Sequence, residues 1–162
     1  MSEPMRFGVS ATRETAAGAP PLAHAVLRLI WSERRISRAE IARQASLSRS
    51  TVSEIVAPWL DTPLVREAGE GESQGGRRPI VLEFQDDAFG ILGVDVGATH
   101  VSVVLTDLRG HVLASRHREY PVQTDPDGTR ALIVEQCTQC LAEGGVSGDR
   151  LLGIGVAIPS PV

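Results

Sequence analysis

The stretch SRAEIARQASLSRSTVSEIVAPWL, Ser37 to Leu60, holds two short amphipathic segments joined by only four residues, ASLS. Ser37 opens the first as SRAE, a capping box in which the hydroxyl accepts an early backbone N–H while Glu40 reaches back. Ile41, Ala42 and Ala45 form its inner stripe, with small residues that let another helix approach closely. Ser48 caps the second segment, whose inner face is Val52, Ile55, Val56 and Leu60. Pro58 removes a helical bond and clashes with the preceding turn, which predicts a kink or an early stop near Ala57. Ser46, in the joint, stands where left-handed backbone is required, at a cost of about 1 kcal/mol for a residue with a β-carbon.

Upstream, PPLAHAVLRLIWSERR starts with proline, tolerated in a first helical turn. Leu22, Val26, Leu29 and Ile30 then recur at helical spacing. Downstream, LVRE and IVLEF read as two strands, with Ile80, Leu82 and Phe84 on one side and a glycine-rich tip between them. Three helices followed by a hairpin predict a winged helix-turn-helix. Trp31 and Trp59 are expected to pack between its first and third helices.

Such a unit lays the second helix of the pair in the major groove, with residues near its N-terminus against base edges. Ser48, Arg49, Ser50, Thr51 and Ser53 occupy that end, and Arg38 opens the bracing helix. Arginine forks guanine, and hydroxyls reach a base or a phosphate. Arg77 and Arg78, held in GGRRP between Gly75 and Pro79, have two readings: a hook entering a narrow, A/T-rich minor groove, or a hairpin tip touching phosphates. Either contributes to salt-sensitive affinity.

Charge agrees. The 162 residues carry a formal net charge of -4, with 16 basic residues that are all arginine and 20 acids. Residues 1–85 hold 11 arginines against 10 acids, whereas residues 86–162 hold 5 against 10. Between Arg28 and Arg49 there are 6 arginines and 2 glutamates. One end of the chain therefore suits a polyanion and the other does not. We read the absence of lysine as coding bias rather than chemistry. No segment reaches the ~18 apolar residues of a membrane span. Residues 1–19 lack the apolar core of a signal peptide and read as a polar tail. Two cysteines without an export signal imply a reduced, cytoplasmic setting.

After QDDAFG the pattern changes. GILGVDVG, HVSVVLTDL and HVLASRHREY are β-rich, TDPDGTRALIVEQCTQCLAEGG is a helix with Ile133, Cys137, Cys140 and Leu141 on one face, and LLGIGVAIPSPV is an apolar strand. That last strand implies a covering layer. Cys137 and Cys140 lack a second ligand pair for zinc and read as core residues. His100, His111 and His117 share no metal-ligand spacing and read as surface residues.

GVDVGATHVSVVLTDLRG is a strand ending in Asp95, a turn with Gly97 and Thr99, and a second strand. Backbone N–H groups in such a turn approach phosphate oxygens. With GGRRP before it and GIGVAIPSPV after it, the chain from Pro20 to Val162 resembles the transcription regulators of the ROK family, which unites repressors and sugar kinases. The resemblance implies an α/β chain: a winged helix over 20–86, then over 87–162 the first part of an actin-like, hexokinase-type lobe. It also implies a sugar or sugar phosphate as effector, and a homodimer on a palindromic, A/T-rich operator in double-stranded DNA. Asp95, Gly97 and Thr99 match the kinase phosphate loop, but Ala98 replaces a glycine usual in active kinases, which marks the loop as vestigial. Pro159 and Pro161 match a Pro-Gly-Pro motif with Ser160 in the glycine's place. The family's catalytic aspartate, zinc motif and second lobe lie beyond residue 162. The chain is thus expected to be a fragment or a truncated gene product, with no catalytic residue and no cofactor of its own. Two other classes fit the motifs less well: a sugar kinase with an N-terminal appendage, and a winged helix that docks a protein.

Overall fold

The computed structural model describes residues 21–70 and 79–158. The expected tail, the wing-tip residues Arg77 and Arg78, and Pro159 to Pro161 lie outside the described residues.

Helix α1 (Pro21–Glu33), strand β1 (Arg35–Ser37), helices α2 (Arg38–Gln44) and α3 (Arg49–Leu60), and strands β2 (Val65–Glu70) and β3 (Ile80–Phe84) surround one apolar core. Val26, Ile30, Ile36, Ile41, Val52, Val56, Val65 and Leu82 are nearly fully buried there. The three strands form an antiparallel sheet in the order β1-β3-β2. Strand β1 is too short to have a readable period. It forms because the chain leaves α1 through Arg34 at φ 61° and runs extended into the cap of α2.

Three expectations need correcting. Helix α3 runs through Pro58 to Leu60; proline there falls in the last turn, where few carbonyls downstream depend on continued winding. Ile80 is 42% exposed while Val81 and Leu82 are both buried. Leu82 pairs with both Ile36 and Glu67, so it sits mid-sheet, whereas Ile80 meets only the wing beyond a bulge between Glu67 and Glu70. Trp31 is 42% exposed at the end of α1 instead of packed against α3, although Trp59 does lie against the core.

The second sheet comprises β4 (Gly90–Val96), β5 (His100–Thr106), β6 (Val112–Glu119) and β7 (Leu151–Ala157), in the order β6-β5-β4-β7. Only β7 runs parallel to its neighbour. It returns through α4 (Pro126–Glu143), as a parallel crossover requires. Asp125 caps that helix by accepting the Gly128 N–H at 2.9 Å, and Pro126 occupies its first turn. Alternation along β4 and β5 sends Leu92, Val94, Val96, Val101, Val103 and Leu105 toward α4. Cys137, Cys140 and Leu141 meet them from the helix. Both thiols are free and buried, and burial raises their pKa values. The helix lies over β5 and β6, which leaves Ile154, Val156 and Ile158 exposed along the β7 side.

Candidate nucleic-acid interface

The capping box at Ser37 is formed as read. Glu40 donates its N–H to Ser37 Oγ at 3.2 Å, and the Ser37 N–H donates to Glu40 Oε2 at 3.3 Å. This fixes the start of α2, and Ile41 and Ala42 lock it to the core. The chain then turns within four residues. Ala45 N–H donates to Ile41 O at 2.8 Å, Leu47 N–H to Ala42 O at 2.9 Å, and Ser46 takes the left-handed conformation at φ 54°. No glycine is needed, because these two bonds hold the turn on either side of the strained residue.

Ser48 Oγ accepts the Thr51 N–H at 3.1 Å, capping α3. The same oxygen lies 2.7 Å from Ser50 Oγ and 2.8 Å from Thr51 Oγ1. One turn later, Ser53 donates to Arg49 O at 2.9 Å. The three leading hydroxyls are therefore pre-oriented around the helix end. Ser48, Arg49, Ser50 and Ser53 are exposed and Thr51 is half-buried. Among the described residues the side chain of Arg49 has neither an ion pair nor a hydrogen-bond partner, and it is exposed.

The other arginines of this half divide. Arg38 pairs with Glu67 of β2 at 2.8 Å, Arg66 with Glu83 at 2.9 Å, and Arg35 donates to Ala68 O at 2.7 Å. Arg38, expected from the sequence to take part in DNA binding, is ion-paired to the wing strand β2. The signal for Glu67 as its partner was absent from the sequence, since the contact spans 29 residues.

The residues expected to form a phosphate loop, Asp95, Gly97 and Thr99, lie elsewhere, where β4 turns into β5 in the second sheet. Asp95 is exposed, with its Oδ2 at 3.4 Å from His100 Nε2. The Gly97 N–H donates to His100 O at 2.9 Å, so it is spent inside the hairpin. A β-carbon at Gly97 would meet the His100 ring at 2.2 Å, so a larger residue there requires that ring to move. Thr99 is exposed, and its carbonyl accepts from Tyr120 N–H. His117, also exposed, hydrogen-bonds Ser102 at 2.8 Å, and its ring centre lies 5.1 Å from that of His100. Among the described residues no group of three or more His, Cys, Asp or Glu side chains can hold a metal ion. None of their helices is long and apolar enough to cross a membrane.

Comparison with known proteins agrees with this geometry. Residues 21–57 match the winged helix-turn-helix DNA-binding family. The chain is 34% identical over 134 residues to the xylose repressor of Bacillus spizizenii, covering 83% of this chain and 35% of that protein. It is 34% identical over 109 residues to the DNA-binding transcriptional dual regulator NagC of Escherichia coli, covering 67% and 27%. The chain thus spans about a third of the length of the curated relatives it matches. A solved structure described as a ROK family transcriptional regulator, homologous to the Escherichia coli MLC protein, superposes with a TM-score of 0.65 at 22% identity. It covers 85% of this chain and 35% of the other, a likeness of fold. These matches bear out the resemblance drawn from the sequence.

Proposed function

We propose, on the premise that this chain belongs with the ROK-type transcriptional regulators, that it binds double-stranded DNA and supplies the operator-reading part of a sugar-responsive repressor. The observation that carries the reading is the first turn of α3: capped, hydroxyl-lined, and bearing an arginine whose side chain has no partner among the described residues. Relatives named xylose repressor and N-acetylglucosamine repressor support the sugar connection.

In this reading residues 20–86 form the DNA-binding unit, 1–19 a tail, and 87–162 the start of an effector-sensing lobe. Arg49 forks a guanine, while Ser48, Ser50, Thr51 and Ser53 contact neighbouring bases or phosphates. Arg77 and Arg78 reach the adjacent minor groove or backbone, and Arg38 acts from the edge of the wing. Asp95, Gly97 and Thr99 are a vestigial phosphate loop. The effector is a sugar or sugar phosphate, and the assembled regulator is a cytoplasmic homodimer on an A/T-rich palindrome.

Equilibrium binding to labelled duplexes across a salt series tests the core of this. For about three to four phosphates neutralised, log K should fall with log salt at a slope near -3, with tighter binding to a site selected from a random pool than to a scrambled one. Binding with no salt dependence would favour a protein-docking winged helix instead.

A further inference from the structure

Residues 85–89 run between the two apolar cores and are gripped from two sides. The turn between β5 and β6 supplies one grip. Asp107, 8% exposed, shapes that turn: its Oδ1 accepts the N–H groups of Arg109 and His111 at 2.8 and 2.9 Å, and its Oδ2 lies 2.8 Å from His111 Nδ1. Gly110, at φ 84°, completes the reversal. So shaped, the turn sends Leu108 against the core of the winged helix, where its N–H donates to Asp86 O at 2.9 Å.

Arg109 goes further. Its Nε donates to Asp86 Oδ1 at 2.7 Å and its Nη2 to Trp31 O at 2.6 Å. Its guanidinium carbon lies 4.6 Å from the centre of the Trp31 ring. Trp31 O belongs to the last turn of α1, where carbonyls lack helical partners and a cation is favoured by the helix dipole. Arg150, just before β7, supplies the second grip by donating to Ala88 O at 2.9 Å and to Asp87 O. The Arg109 side chain is only 11% exposed. Removing one partner of a charge so enclosed strands the other, so the joint favours a closed or an open state over a gradual hinge.

We propose that Arg109 is a positioning residue that latches the winged helix to the four-stranded sheet. The two cores then turn as one body, and any movement of the β5–β6 hairpin is delivered to the end of α1. Strand β5, seven residues long, connects this latch to the β4–β5 turn, where Asp95 is the penultimate residue of β4, Gly97 lies in the turn and His100 begins β5. The latch acts whatever α3 touches, and its failure would leave the DNA-binding reading standing.

Nitrogen-15 relaxation on the 162-residue chain tests it, comparing the parent with Arg109→Met. In the parent, amides of both sheets should report one rotational correlation time. In the variant they should report two, each shortened roughly twofold as the bodies separate, with the amide shifts within β3 and β4 preserved. A parent that already shows two times, or a variant that still shows one, overturns the latch. Should Arg109→Met not fold, Asp86→Asn, which keeps the volume and removes the charge pairing, gives the same reading. If both unfold, Arg109 is a folding residue and the proposal falls.

Discussion

Replacing Ser48 by aspartate separates stability from binding at one position. Ser48 caps α3, with its Oγ 3.1 Å from the Thr51 nitrogen. Aspartate caps as well as serine, and its charge suits the positive end of a helix. Ser48→Asp should therefore keep the parent's urea midpoint, whereas Ser48→Ala should lose about 1 kcal/mol. Binding should move in the opposite order. With the first turn of α3 against a duplex, the new carboxylate stands about 5 Å from the nearest phosphate. Coulomb's law then gives a repulsion between about 1 kcal/mol at the dielectric of water and about 3 kcal/mol at an effective dielectric near 20. Affinity falls about fivefold to 150-fold. Ser48→Ala, which adds no charge, should bind better than the aspartate variant despite being less stable. Fluorescence anisotropy on a labelled duplex at low salt, where screening is weak, run beside urea denaturation, gives both quantities. An aspartate variant with parental affinity would place this helix end away from DNA and refute the interface.

Arg49→Ala should leave stability within about 0.5 kcal/mol, as surface changes do, but cost about 1–3 kcal/mol of affinity on the selected site; equal loss on scrambled duplexes would make Arg49 a phosphate contact. Burial alone would raise the Asp107 pKa, but hydrogen bonds from His111 and the Arg109 N–H outweigh it and hold the carboxyl below its ordinary value. A pKa depressed by folding stabilises above the unfolded-state value, about 4, and that contribution fades as pH falls through the folded-state value. Asp107→Asn should thus be less stable than the parent at pH 7, with the gap closing below about pH 4 in urea titrations; a gap that persists in acid would deny the carboxylate its role. Gln136 is buried on α4, and neither polar atom of its side chain has a partner among the described residues. Gln136→Leu should raise stability by about 1 kcal/mol, or roughly 2–4 °C in thermal midpoint for a chain of this size, and a lower midpoint would reveal a polar partner for the amide.

The winged helix was legible because its information is local. A capping box, an N-cap and apolar residues three and four apart are short-range patterns, and Ser37, Ser48, Val52 and Val56 take the places they dictate. The strands of the second sheet were legible for the same reason, since alternation at period two survives intact through β4 and β5. What escaped was long-range. Nothing beside Trp31 in the sequence announces Arg109, 78 residues away, whose guanidinium the β5–β6 turn lays over one face of that ring. Arg38 was readable as a basic residue on a basic stretch, but not as the partner of Glu67. Pro58 misled because a breaker's effect depends on how many helical bonds remain beyond it, and here the helix ends two residues later.

The ion pairs of the winged helix bear on specificity more than on stability. Exposed pairs such as Arg66–Glu83 contribute little to folding, and Arg38–Glu67, with one half-buried partner, is only somewhat better placed. Each nonetheless withdraws a cation from the competition for phosphates, the sequence-independent part of any affinity for DNA. Across the second sheet, Arg109, Arg116 and Arg130 are likewise matched to Asp86, Glu143 and Asp127, in a half whose acids outnumber its arginines two to one. A polyanion approaching the molecule is therefore repelled by the second sheet, and beside β2 and β3 it meets Arg38 and Arg66 already matched to Glu67 and Glu83. Arg49, whose side chain has no partner among the described residues, stands exposed at the start of α3, the end that reads base edges in the proposed interface. Each cation matched in this way lowers affinity for random sequence, which raises the share of the binding free energy that base contacts supply in the proposed interface.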